Sequence, residues 1–238
     1  MRTHLRGLFA AVAIGSLLIT GAGPASARSS GNVDALRIAA SRSASVGIAP
    51  APCDDSGYRF LGGKWHRPYE WSFNPSAAPS ALDRSAVEAV LVRSFTNITG
   101  ARNNCGRADR ISATAVYLGR TKRRVNCNAP DGHNVVGFGR LPFGVLALTC
   151  YWIKRGRMVE ADIRINRYEP WALSTQHCRY KPMLEATITH EAGHVFGLQH
   201  IGERRHGRLT MSPYLDGPCE NAEATLGLGD MLGLEALY

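Results

Sequence analysis

Three histidines and a glutamate fall within one short stretch, His190-Glu191-Ala192-Gly193-His194-Val195-Phe196-Gly197-Leu198-Gln199-His200. His190 and His194 are four apart. On a helix that spacing puts both imidazoles on one face, one turn apart, where two nitrogens can hold one metal ion. Glu191 lies beside them, close enough to take a proton from a metal-bound water. Gly197 comes where the helix must stop, since glycine takes the left-handed conformation that ends a helix and turns the chain. The turn lets His200 swing back as a third ligand. Three protein ligands plus an open position distinguish catalytic from structural zinc. The stretch therefore implies one catalytic Zn2+ held by His190, His194 and His200, with Glu191 as general base. A bare HExxH arises by chance in many helices; the added glycine and third histidine make chance agreement far less frequent.

The elements around this stretch must position it. Residues 182–199 are predicted to form the zinc helix, with Leu184, Ile188, Val195 and Leu198 as its core contacts. Residues 209–214, Leu-Thr-Met-Ser-Pro-Tyr, follow the ligands, and Met211 before a proline turn could form an apolar base under the imidazoles. Upstream, Tyr69-Glu70-Trp71-Ser72-Phe73 alternates as a strand does. Ser80 with Asp83 reads as a capping box. Behind it Leu82, Val87, Val90, Leu91, Phe95 and Ile98 recur at helical spacing, so that stripe is core. Asn97-Ile98-Thr99 matches a glycosylation sequon that the same stripe could bury. Further strands are expected over residues 110–118, 135–138 and 145–152. After a turn at Gly156, another is expected over 159–166, alternating so cleanly that one face should be buried and the other solvated. Residues 230–238 read as a short amphipathic closing helix.

The N-terminus reads as a secretory signal. Arg2 and Arg6 precede an apolar run too short to span a bilayer comfortably, and Ala25-Ser26-Ala27 is a small-residue cleavage site. The expected organisation is a signal peptide over 1–27, a flexible leader or short propeptide over 28–52, and one catalytic domain over 53–238. Secretion fits the six cysteines, Cys53, Cys105, Cys127, Cys150, Cys178 and Cys219, all beyond the signal and even in number. They are expected to form three disulfides, with pairing open among 15 connectivities. A free Cys53 thiolate capping the metal is a second possibility for that residue. The net charge of +9 gathers partly in Lys122-Arg123-Arg124 and Arg204-Arg205-His206-Gly207-Arg208. These read as solvated loops, and no nucleic-acid motif accompanies them.

Together these residues resemble the metzincin zinc endopeptidases, in their matrixin-like branch. HEAGHVFGLQH is similar to the family's zinc motif, residues 210–214 to its Met-turn, Val145-Leu146-Ala147 to its substrate-aligning edge strand, Ala161-Asp162-Ile163 to its ADI strand, and Leu228-Gly229-Asp230-Met231 onward to its closing helix. The resemblance implies an α+β fold: a twisted mixed five-stranded sheet, two long helices and a small C-terminal subdomain ending in a helix. It implies a substrate peptide antiparallel to the edge strand at Leu146 and Ala147, with Pro213, Tyr214 and Leu215 lining the pocket for the side chain after the cut, and Met211 supporting the zinc site. Leu148 stands where relatives often place a histidine for a structural zinc, so no second zinc is expected. The usual cysteine-switch motif and recognisable calcium loops are absent, which leaves calcium open. The expected protein is a secreted monomeric endopeptidase acting on proteins or peptides, with no nucleic-acid partner and no stable membrane insertion. The rival is a secreted zinc-binding protein without turnover.

Overall fold

Tyr69, Trp71 and Phe73 project from one face of a strand and are almost wholly buried. They form strand β2 (Tyr69–Asn74), and their rings meet Phe95 of helix α1 (Arg84–Thr99), with centroids 5.4 Å (Tyr69) and 4.5 Å (Trp71) away. The helix buries Val87, Val90, Leu91, Phe95 and Ile98, the stripe expected from spacing. Its start differs from expectation. Asp83 itself caps the helix, accepting from the Ala86 N–H at 2.7 Å, while residues 79–82 form a separate turn. An acceptor directly before the first helical residue satisfies the orphan amides, so Ser80 is not needed there.

The computed structural model describes residues 32–38 and 49–238. The expected signal segment and its cleavage site lie outside the described residues, as do residues 28–31 and 39–48 of the expected leader. Strands β3 (Ala115–Arg120), β4 (Val135–Gly139), β5 (Val145–Lys154) and β6 (Arg157–Asn166) join β2 in the order β3-β2-β4-β6-β5. All neighbours are parallel except β5 and β6, an antiparallel hairpin. Its turn, Arg155-Gly156, has φ of 53° and 72° at the two residues, the geometry whose twist suits a two-residue hairpin. This is the mixed five-stranded sheet of an α+β fold. Two further strands extend it beyond β5: β1 (Asn32–Ile38) in the leader and the two-residue β7 (Tyr214–Leu215). No helix of the described residues is long and apolar enough to cross a membrane.

Strand β6 corrects the expectation of one solvated face. Glu160, Asp162 and Asn166 are buried along with Ala161, Ile163 and Ile165. A strand between two neighbours can be covered on both sides, and here the loop before β4 covers the polar one. Asp162 accepts the Asn126 and Val135 N–H groups at 2.6 and 2.7 Å, and Glu160 accepts that of Asp131 at 2.9 Å. Burial pushes the Asp162 carboxyl up to about 7 despite those bonds.

Helix α2 (Leu184–Val195) packs against α1 through a polar seam. Arg93 and Arg102 both reach the buried Glu185 carboxylate at 3.0 Å, and Asn97 donates to Glu185 and Thr189. Asn97 is 2% exposed, so the sequon is inside the fold. All six cysteines are paired, Cys53–Cys105, Cys127–Cys150 and Cys178–Cys219. Cys53 is therefore not a free thiolate. After a one-turn helix α3 (Glu203–His206), the chain closes with helix α4 (Leu228–Leu237), two residues ahead of the expected start, because Asp230 folds back to accept the Gly227 N–H at 3.0 Å.

Candidate metal centre

Helix α2 is shorter than residues 182–199 suggested. It ends at Val195, with Phe196 as its cap, and Gly197 takes φ 92°. Glycine is required there twice over: the left-handed backbone disfavours a side chain, and a Cβ would come 2.4 Å from the Gly63 carbonyl oxygen. The reversed chain is held by the Leu198 N–H on the Gly193 carbonyl and the Gln199 N–H on that of Arg59, both at 2.9 Å. His200 then faces back toward the helix.

His190 and His194 are fully buried and His200 half-buried. Their Nε2 atoms converge, with His190–His194 at 3.1 Å, His190–His200 at 3.0 Å and His194–His200 at 3.1 Å. The tautomers of two rings follow from their other nitrogens. His190 Nδ1 lies 2.6 Å from the Thr210 carbonyl oxygen and His194 Nδ1 lies 2.9 Å from that of Leu198. A carbonyl can only accept, so each Nδ1 carries the proton and each Nε2 presents a lone pair. Such lone pairs converging on one point repel each other unless a cation sits between them. A tetrahedral zinc at about 2.0–2.1 Å from each nitrogen would set them about 3.3 Å apart, close to what is found. The donor set thus fits zinc. Burial, then the neighbouring His194 and His200, hold the His190 imidazole well below its usual pKa, which keeps it neutral as a ligand must be.

Three further groups shape the centre. Glu191 is fully buried, and the Thr149 hydroxyl of β5 donates to its Oε2 at 2.5 Å. Met211 packs directly under α2: a Cβ on Gly193 would lie 2.3 Å from its sulfur. The glycine inside the zinc motif is thus the space the methionine occupies. The turn carrying Met211 is fixed from α4, where Asp230 accepts the N–H groups of Thr210 at 2.9 Å and Met211 at 3.2 Å. A chain of contacts therefore runs from Asp230 through Thr210 to His190. Burial pushes Asp230 up to about 6, with the accepted backbone bonds opposing it.

The remaining expected site residues lie on β5 and on or beside β7, the two strands that flank β1. Leu146 and Ala147 are fully buried on β5, Pro213 and Tyr214 are half-buried, and Leu215 is buried in β7. A small apolar pocket lined by Tyr180, Pro182, Leu215, Gly217 and Pro218 opens beside β7. The β5 edge is not free, however; β1 lies along it. Sequence reading missed Thr149, Asp230 and the two carbonyl acceptors. Thr149 stands two residues past Ala147, on the same face of β5, which was the available signal.

A histidine triad on a helix and its following turn, a glutamate beside it, a methionine turn beneath and a mixed sheet alongside define a metzincin zinc metallopeptidase, a hydrolase of peptide bonds. Residues 140–238 match the family model of the matrixins, peptidase family M10, and that span holds the whole histidine triad. No curated protein matches it.

Proposed function

We propose that the chain is a secreted zinc-dependent endopeptidase. The observation that carries this reading is the convergence of the three Nε2 atoms beside a buried glutamate that is bonded to strand β5. His190, His194 and His200 would hold the zinc. Zinc supplies Lewis acidity there, making water acidic enough to deprotonate near neutral pH and polarising a peptide carbonyl. Glu191 takes the proton from the attacking water and delivers it to the leaving amine. Thr149 keeps the Glu191 carboxylate aimed. Backbone groups of Leu146 and Ala147 align the substrate by strand addition, and Pro213, Tyr214 and Leu215 wall the pocket beyond the cut. Met211 supports the histidines and touches no substrate. The cysteine pairs suit an oxidising compartment, which supports secretion.

The test is cleavage of an internally quenched peptide library by the zinc-loaded chain, with Glu191→Ala as the paired control. Turnover in the wild type alone is expected, with zinc retained by both. Equal turnover in Glu191→Ala would refute the general-base role. Stoichiometric zinc with no turnover of any peptide, including after removal of the leader, would favour a zinc-binding protein.

A further inference from the structure

The leader strand β1 lies in the groove that the proposed function assigns to substrate. Its backbone pairs antiparallel with β5, from Asn32 opposite Tyr151, through Asp34 opposite Thr149, to Leu36 opposite Ala147. On its other side it pairs parallel with β7, Arg37 with Tyr214 and Ile38 with Leu215. Direction is the informative point. A substrate is expected antiparallel to this edge strand; a segment that merely plugged the cleft could run either way. The leader runs the way a cleavable peptide would.

The register locates a bond. Asp34 sits opposite Thr149, whose hydroxyl holds Glu191. Arg37 is the first residue gripped by both rims, at Val145 and Tyr214. Between these marks lie Ala35 and Leu36, which pair with β5 alone. The Ala35–Leu36 peptide bond is the middle of that window.

We propose that the leader is the chain's own first substrate: residues 32–38 occupy the cleft in productive direction, exclude other peptides while they remain, and are cut at Ala35–Leu36. This rests on the endopeptidase reading. The step is a hydrolysis. The C–N bond of Ala35–Leu36 breaks, water's oxygen joins the Ala35 carbonyl carbon, and Glu191 carries water's proton to the Leu36 nitrogen. The products are a carboxylate at Ala35 and an amine at Leu36. Once cut, residues up to Ala35 keep only one-sided pairing with β5 and can leave.

The experiment uses the chain from Arg28 onward, prepared zinc-free. Amide hydrogen exchange in the Glu191→Ala form comes first, since it needs no activity. Protection is expected at residues 33–37 and 145–150. Zinc is then added to the wild type, and intact mass and N-terminal identity are followed. The expected product begins at Leu36, appears at a rate independent of protein concentration, and is absent in Glu191→Ala. A tethered segment has an effective concentration on the order of millimolar, so hydrolysis of a micromolar quenched peptide should rise on the order of tenfold as the intact chain disappears. Peptide turnover with an unprotected leader, with a protected but never-cut leader, or with a cut outside residues 34–37 would overturn the proposal and leave the peptidase reading standing. A rate rising with protein concentration would overturn self-cleavage within one chain. If neither leader nor peptides were cut at stoichiometric zinc, the proposal would fall, and the peptidase reading would fall with it only if the chain from residue 49 onward were inactive as well.

Discussion

Asp230→Ala removes one carboxylate from α4 and should damage a zinc site it does not touch. Three N–H groups lose their acceptor, those of Thr210 at 2.9 Å, Gly227 at 3.0 Å and Met211 at 3.2 Å. The position is 1% exposed, so water does not readily replace the carboxylate. Each buried donor left unmade costs about 1–3 kcal/mol, giving about 3–9 kcal/mol in sum. The loss depends on pH. The folded-state pKa of Asp230 is raised from 3.8 to about 6, so the folded chain keeps a proton that the unfolded chain releases. Its contribution is fully present below 3.8 and falls as pH rises through about 6, at up to about 1.4 kcal/mol per unit. The gap between wild type and variant should therefore be widest below pH 4 and narrow by about 1.4 kcal/mol between pH 5 and pH 7.5. Urea unfolding of both zinc-free proteins at pH 5 and 7.5 measures it. Chelator competition at pH 7.5 measures the second effect. With Thr210 loosened, the His190 ring loses its anchor, and zinc affinity should fall about 10–100-fold, as for other groups that orient a metal ligand. A variant within 1 kcal/mol of wild type at pH 5 would refute the accounting, and unchanged zinc affinity would refute the chain of contacts.

Thr149→Val keeps the shape of a fully buried residue but removes the hydroxyl 2.5 Å from Glu191. A hydrogen bond to a charged group is worth about 1.5–3 kcal/mol, so kcat should fall at least tenfold while zinc content holds; unchanged kcat in steady-state assays would remove Thr149 from the mechanism. Gly193→Ala puts a Cβ 2.3 Å from the Met211 sulfur and should weaken zinc binding. Combining it with Met211→Ala should recover part of that loss, and strictly additive effects in the double-mutant cycle would show that the two residues do not share the space.

The site was legible because its key spacing is local. Four residues make one helical turn, so the His190–His194 pair can be read without knowing the fold, and Gly197 announces its own turn. What the sequence could not reveal is contributed by backbone or by distant chain. The acceptors for His190 and His194 are carbonyls of Thr210 and Leu198, which any residue type would supply. Asp230 stands 20 residues from the turn it fixes, and nothing local ties the two. The β6 error has the same origin. Alternation suggests a solvated face, but whether a loop folds over that face is decided by residues some thirty positions earlier, where Asn126 and Asp131 offer their amides. Helix α1 was found and its stripe read well, while its cap was misplaced by three residues, because Ser80 and Asp83 are both good acceptors and only packing chooses between them. Within the expected leader or short propeptide, residues 32–38 form a strand that the sequence reading did not name. The leader's Ser-, Ala- and Gly-rich composition speaks to weak burial, yet strand addition draws mainly on backbone groups, which composition does not report.

That last point bears on how a latent form would work. A thiolate from Cys53 would have capped the metal directly, but Cys53 is bonded to Cys105 and has no thiol to offer. If the leader holds the cleft shut, it does so through the pairing of residues 32–38 with β5 and β7. The two devices respond to different triggers. A metal–thiolate cap is released by oxidants and thiol reagents, whereas a paired strand is released by scission or by a competing strand. Because the leader runs in the cleavable direction, zinc loading alone is a sufficient trigger under the proposed mechanism. Latency would then last only until zinc arrives, and the chain would need no other protease to mature.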